Sequence, residues 1–314
     1  MLTIDYDKKI SIREAFGKKL VDLGSKYPEV VVLDADLSCS TQTKFFAKEY
    51  PERFFNVGIA EQNLITTAVG LASTGKVPFT AAFAVFITGR AYDQIRTSVC
   101  YPKSNVKIIG THGGITVGED GATHQALEDV SLMRGLPNMM VIVPGDCYEC
   151  EQALEFAAQH QGPVYIRVSR NNLPNVYGSD YKFDPTKAYT LKAGSDITII
   201  ANGDVLSEAY KAAEILSQKG INAEVISLPV VKPLDSKTIL ESAKKTKRVV
   251  TVENHSVYGG IGSAVSELLS EKLPTRVLRI GVEDKFGQSG TPNELLKHYK
   301  LDAESIANRI LEDL

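Results

Sequence analysis

The chain has 314 residues, 43% of them hydrophobic and 23% charged, with a formal net charge of −3. That length predicts about two domains, each able to bury its own core, and the absence of a basic stripe argues against a nucleic-acid partner. No apolar run approaches the roughly 18 residues of a membrane span, residues 1–9 lack the apolar core of a signal peptide, and Cys39, Cys100, Cys147 and Cys150 are too few for a disulfide scaffold, so a reducing cytoplasm is expected.

Residues 11–23 carry apolar side chains at helical spacing, with Ser11 placed to cap the start and Gly24 to end it. Val30, Val31, Val32 and Leu33 form an apolar run of the kind buried on both faces of a parallel sheet. The run leads into Asp34, Asp36, Leu37 and Ser38, at the strand end where open α/β sheets place ligand-binding groups. A strand is expected over 78–82 and a helical stretch over 83–100, then strands over 106–110, 141–144 and 164–168, with a helix over 146–158. This alternation predicts an α/β unit, a parallel sheet covered by helices. Residues 171–192, with proline, tyrosine and asparagine and little periodicity, read as a linker. Strands over 197–201, 223–228, 248–253 and 276–280 then alternate with helices over 206–218 and 236–245, a helix from Gly259 and a C-terminal helix, predicting a second α/β unit.

Residues 54–63, Phe-Phe-Asn-Val-Gly-Ile-Ala-Glu-Gln-Asn, organise the first unit. Their apolar start reads as a strand end, Gly58 permits a turn, and Glu61 opens a helix with apolar residues at 64, 65, 68, 69, 71 and 72. A carboxylate in that place ordinarily serves the positive end of the helix dipole; a sharper role depends on the rest of the chain.

Residues 111–125 gather His112, His124, Glu119, Asp120 and four glycines in fifteen positions. Loops of this length in compact domains are usually functional, and histidine is suited to moving protons near neutral pH. A polar loop whose glycines merely make turns is the plain alternative. His112 and His124 lack the further ligands zinc requires. Cys147 and Cys150 resemble a CxxC motif, but they fall on the first turn of a helix without a second pair, which disfavours redox or metal use. The glycines at 203 and at 259–262 have neither P-loop nor dinucleotide spacing and read as helix starts. His255, beside Glu253 and Asn254 at a strand end, reads as structural or interfacial.

Three segments, in order and at their separations, resemble transketolase: 55–63 with Glu61, 118–125 (Gly-Glu-Asp-Gly-Ala-Thr-His-Gln), and 169–174 beginning Ser169-Arg170. The 118–125 stretch is specific, whereas the turn before Glu61 is shared among thiamine diphosphate enzymes. The likeness spans essentially the whole chain. It implies a pyrimidine-binding domain over 1–172, a linker over 173–192 and a smaller transketolase C-terminal α/β domain over 193–314. The family's diphosphate-binding domain, marked by a Gly-Asp-Gly motif and a later Asn, has no counterpart here, and the length leaves no room for it. The resemblance is therefore to the C-terminal subunit of a split transketolase, which moves a two-carbon ketol unit from a ketose to an aldose.

On that resemblance Glu61 hydrogen-bonds the pyrimidine of thiamine diphosphate and drives its tautomer change, since burial favours a carboxyl group that can hold a proton. Phe83 and Phe86 pack on the ring, with plain core packing as their alternative. The third aromatic of the pattern falls on Gly89, for which Tyr92 is the nearest substitute. Asp36 and Leu37 lie near the cofactor. Asp120 holds a sugar hydroxyl and His124 assists proton transfer at the carbonyl-derived oxygen. His112, Arg170 and Ser40 contact the substrate phosphate. A further phosphate arginine near the start of the domain has Lys8 and Lys9 as its nearest matches. Magnesium and the diphosphate fall to a separate N-terminal subunit, and active sites shared between subunits imply a heterotetramer with two copies of each chain. The alternatives are the β subunit of a 2-oxoacid dehydrogenase, which lacks the 118–125 stretch, and a deoxyxylulose phosphate synthase, which carries its own diphosphate domain. A non-catalytic scaffold is the third, though a scaffold has no reason to hold Glu61, Asp120, His124 and Arg170 together.

Overall fold

Apolar runs dictate the first sheet. Val30–Asp34, Val77–Phe83, Lys107–Thr111 and Val164–Val168 are buried along their whole lengths, as strands covered on both faces must be. They form the middle of a seven-stranded sheet ordered Val230–Lys232, Met140–Ile142, Val164–Val168, Lys107–Thr111, Val77–Phe83, Val30–Asp34, Phe54–Asn56. Neighbours run parallel except Val230–Lys232, which pairs antiparallel with Met140–Ile142. The computed structural model describes residues 4–314; residues 1–3, the start of the expected first domain, lie outside the described residues. No helix among the described residues is long and apolar enough to cross a membrane.

One face of this sheet is covered by the helices Ile12–Lys26 and Cys147–Gln159, which bury Phe16, Leu20, Cys150 and Leu154 in one apolar layer. Ser11 caps the first helix, its hydroxyl accepting the Glu14 N–H at 3.3 Å. The helix does not stop at Gly24, however, but continues to Lys26. A Cβ at Gly24 would lie 2.6 Å from the Tyr50 ring and 2.7 Å from the Phe46 ring, so glycine serves close packing there rather than termination. The opposite face carries Glu61–Ser73 and the stretch 85–100. That stretch is wound wide: Val85–Arg90 and Ile95–Cys100 are π-helical turns on either side of Tyr92–Gln94. Such turns admit an extra residue and are frequent at functional sites.

The second sheet is ordered Val277–Val282, Val249–Ser256, Ile197–Ala201, Ala223–Ser227, Tyr189–Lys192, with only the last strand antiparallel. Leu206–Gln218 and Ala303–Asp313 bury one of its faces. The other face, under Ile261–Lys272, shares an apolar layer with the first sheet, so Ile200, Ile226 and Val265 belong to the same cluster as Leu64 and Ile108. The segment read as a linker has structure of its own: Asn172–Pro174 pairs antiparallel with Lys9–Ser11, and Tyr189–Lys192 is an edge strand. The single expected C-terminal helix is two, Pro292–His298 and Ala303–Asp313.

A polar knot starts the helix Cys147–Gln159. Asp146 accepts the Glu149 N–H at 2.8 Å with one carboxylate oxygen, and the N–H groups of Val176 and Tyr177 at 2.8 and 2.7 Å with the other. Glu149, fully buried, accepts the Gly145 N–H at 2.7 Å and the Tyr181 hydroxyl at 2.8 Å. Burial, with the Asp146 charge beside it, pushes the Glu149 carboxyl from 4.5 up to about 8. A carboxyl raised on folding contributes stability that is full below its unfolded value and fades as pH rises through about 8. The variant Glu149→Gln is therefore expected to flatten the decline of melting temperature between pH 6 and pH 9. Parallel melting curves for variant and wild type across that range would remove Glu149 as the group responsible.

Candidate functional site

Four neighbouring strand ends bring the candidate residues together. The carboxyl ends of Val30–Asp34, Val77–Phe83, Lys107–Thr111 and Val164–Val168 lie side by side, leading to Asp36, Leu37 and Ser40, to Phe83 and Phe86, to His112, and to Arg170. Asp34, fully buried, fixes the first of these loops by accepting the Leu37 N–H at 2.5 Å and the hydroxyls of Thr41 and Thr43 at 2.8 and 2.9 Å. Asp36 is exposed and takes a left-handed backbone (φ 63). Asn56 holds it, donating its side-chain amide to the Asp36 carboxylate at 3.0 Å. Leu37 packs on the apolar layer beneath, as does Val57.

Glu61 is the first residue of its helix and only 1% exposed. A carboxylate so placed needs a charged or hydrogen-bonding partner, and Arg90 supplies one, its Nη1 lying 2.7 Å from Oε2. The same guanidinium covers the Phe86 ring, 5.0 Å from its centroid. Phe86 in turn stacks on Phe83 with centroids 5.9 Å apart and planes 9° from parallel. Gly89, at the position of the family's third aromatic, faces open space, and Tyr92 packs against the apolar core. Arg90, which the sequence does not single out, lies against Phe86 together with Phe83 and His124. His124 closes the aromatic group edge-on, with its ring 5.3 Å from Phe86 and 6.1 Å from Phe83.

A cationic group adjoins the aromatic one. His112 stacks on Phe83 at 3.8 Å and holds a left-handed backbone (φ 59), a conformation that side chains other than glycine adopt only where surrounding contacts enforce it. Burial first, then the neighbouring Arg13 and Arg170 charges, drive its pKa down to about 3. His112 is therefore neutral at physiological pH. Its Nε2 accepts from Arg13 Nη1 at 3.4 Å, which assigns the ring proton to Nδ1, 2.9 Å from the Thr111 hydroxyl. Arg13 also donates to the Ser40 carbonyl oxygen at 2.7 Å, so Ser40 enters the group through its backbone. Burial and the charge of Arg170 both disfavour the Arg13 cation, and its buried Nε has no protein partner. Two guanidinium groups, one with an orphaned donor, have the chemistry to hold an anion. Lys9, one of the two lysines matched to a further cation, lines the groove beside them. The guanidinium that reaches His112 belongs instead to Arg13, whose helix starts where Lys9–Ser11 pairs with Asn172–Pro174, just beyond Arg170.

The 111–125 loop is clamped by the second unit. Asp204, Asn254, Thr116 and Ser169 form one buried polar node. The Asp204 carboxylate accepts from the Thr116 hydroxyl, from the Ser169 hydroxyl at 3.1 Å and from the Asn254 amide at 3.0 Å. The Asn254 carbonyl oxygen accepts the Ile115 N–H at 2.9 Å. Gly114, with φ 78, meets this node so closely that a Cβ would fall 2.3 Å from the Asn254 side chain. Gln125 ties the far end, donating to the Ile115 carbonyl at 3.1 Å and the Gln288 carbonyl at 2.9 Å. Arg170 donates to the Val117 carbonyl and pairs with Glu119 at 2.8 Å. Asp120 is exposed at the tip of the loop, next to Glu119.

Other sequence candidates are built into the frame. Cys147 and Cys150 are buried, and burial raises both thiols, Cys147 to about 12, which leaves them unreactive. The Gly260 helix start is filled by Glu253, which accepts the N–H groups of Ile261 and Gly262 at 2.8 and 2.9 Å. His255 is buried and its Nε2 accepts the Ser131 N–H of the first unit at 3.4 Å.

Residues 8–176 match the family model described as transketolase, pyrimidine binding domain, and residues 186–306 match transketolase, C-terminal domain. A Methanocaldococcus jannaschii protein named "Putative transketolase C-terminal section" is 51% identical, over 96% of this chain and 96% of its own. A protein of Clostridium sp. strain MSTE9 named 6-deoxy-6-sulfo-D-fructose transketolase subunit is 42% identical, over 94% and 92% of the two chains. A solved structure described as a split gene transketolase, inactive beta4 tetramer, superposes with a TM-score of 0.90 at 50% identity, over 96% of this chain and 98% of that one.

The clamp makes a direct prediction. Asn254→Ala strips partners from Asp204, Thr116 and the Ile115 N–H at once, and a buried group left without its hydrogen bond costs about 1–3 kcal/mol. The variant is expected to lose about 2–3 kcal/mol of stability in urea unfolding and to be cleaved first within 114–124 by a dilute protease. Unchanged stability and an intact loop would show that the node does not hold it.

Proposed function

The chain belongs to the transketolase family, and we propose that it supplies the pyrimidine and sugar side of a thiamine diphosphate site completed by an N-terminal subunit. It is one subunit of a transketolase, an enzyme that transfers ketol groups, and the 2-oxoacid dehydrogenase alternative is not favoured by its relatives. The observation that carries the site assignment is an unbroken series of contacts: Glu61 to Arg90, Arg90 to Phe86, Phe86 and His124 to Phe83, Phe83 to His112, His112 to Arg13. A buried carboxylate, an aromatic wall and a pair of cations lie in sequence across the carboxyl end of the sheet, the donor set that a heterocycle followed by an anionic sugar requires.

When bound, thiamine diphosphate supplies the nucleophilic carbon and the electron sink. Glu61 would hold the pyrimidine through a ring nitrogen, and Phe83 and Phe86 would line the ring, with Asp36 and Leu37 on the neighbouring loop. His124, next to the aromatic pair, would move a proton at the carbonyl-derived oxygen of the sugar, and Asp120 would hold a sugar hydroxyl. Arg13 and Arg170 would hold the terminal anion, with Ser40 and neutral His112 fixing Arg13. The terminal anion is a phosphate or a sulfonate; both match two guanidinium groups, and the relative named for a sulfo sugar carries the second chemistry. The diphosphate and a magnesium ion would be held by the N-terminal subunit. A heterotetramer of two copies of each chain, working in the cytoplasm, is the assembly and setting we infer.

Mixing this chain with its N-terminal subunit, thiamine diphosphate and magnesium is expected to give ketol transfer; transfer by this chain alone would overturn the two-chain reading. Glu61→Gln is expected to abolish turnover while leaving assembly intact, and near-normal turnover would remove Glu61 from the mechanism. Arg13→Ala and Arg170→Ala are each expected to raise KM for sugars with a terminal anion by about 10- to 100-fold, the worth of one charged hydrogen bond. Sugars without the anion should be little affected. Comparing phosphorylated and sulfonated substrates decides which anion the site prefers.

A further inference from the structure

Arg90 stands where two roles collide. Its guanidinium takes the Glu61 carboxylate at 2.7 Å and the face of Phe86 at 5.0 Å, the two groups assigned above to the heterocycle. Both cannot be served at once by one cation and one aromatic ring of the cofactor. The pair is lopsided in exposure: the Glu61 side chain is 2% exposed and the Arg90 side chain 50%. The carboxylate is therefore fixed, while the guanidinium reaches it from solvent and can leave without repacking the core. The π-helical turn Val85–Arg90 presents Arg90 beside Phe86, and Gly89 next to it leaves open space. The Gln62 amide donates to the Arg90 carbonyl oxygen at 3.2 Å, so the backbone stays put while the side chain moves.

We infer that Arg90 is an affinity-setting residue of the cofactor half-site: it satisfies Glu61 and covers Phe86 until the aminopyrimidine displaces it. This rests on the assignment of Glu61, Phe83 and Phe86 to the cofactor. Two effects of opposite sign follow from one side chain. Removing Arg90 leaves Glu61 buried without its counter-charge, which destabilises the cofactor-free chain. The same removal deletes a competitor and tightens cofactor binding.

The test uses the assembled two-subunit enzyme stripped of cofactor, titrated calorimetrically with thiamine diphosphate at saturating magnesium. Arg90→Gln is expected to lower Kd by about 5-fold, the scale of a half-exposed ion pair, and to lower the melting temperature of the cofactor-free chain. Arg90→Met serves the same end if the glutamine variant does not fold, and Arg90→Lys should leave Kd within about twofold of wild type. An unchanged or higher Kd in the glutamine and methionine variants overturns the inference while leaving the functional assignment in place. A wild-type assembly that binds no thiamine diphosphate overturns both.

Discussion

The buried node of Asp204, Asn254, Thr116 and Ser169 is the contact on which the rest of the site depends. Each half of the chain contributes two members, and out of water each half satisfies the polar groups of the other. Through Ile115 and Gln125 the node fixes both ends of the loop that carries Glu119, Asp120 and His124. The second α/β unit thus braces the glycine-rich loop into a defined surface, and its Thr291, Pro292 and Asn293 line the groove beside Arg13 and Arg170.

Charge is arranged around this brace by burial. His112 is kept neutral so that it can accept from Arg13, and a protonated ring there would repel both arginines. Arg13 and Arg170 approach one another because the ladder of Lys9–Ser11 with Asn172–Pro174 sets the helix start beside the strand end. Glu61 lies at the other end of the row, its charge met by Arg90. Negative and positive ends are separated by the Phe83 and Phe86 rings and the two histidines. Such a polarity can orient a ligand with a basic heterocycle at one end and an anion at the other.

Much of this was legible in the residues. The β-branched runs Val-Tyr-Ile-Arg-Val and Ile-Thr-Ile-Ile-Ala announced Val164–Val168 and Ile197–Ala201 to the residue, because in strands buried on both faces even Arg167 and Thr198 do not set up an alternating pattern. The helix opened by Glu61 followed from its spacing. Arg13, Arg90 and Asp204 were not legible, since their meaning lies in contacts made across the fold. Arg13 meets His112 from 99 positions away and Asp204 meets Thr116 from 88. Gly24 misled because a glycine at a plausible helix end and a glycine under two aromatic rings look alike in one dimension. The irregular composition of 171–192 hid two strands, each too short to show a period.

The strand Val230–Lys232 belongs by sequence to the second half of the chain yet completes the edge of the first sheet, beside Met140–Ile142. A cut anywhere between the two halves would strip that border and leave a row of unpaired amides facing outward, an invitation to pair with a neighbouring molecule. The two halves share a sheet border as well as a polar node.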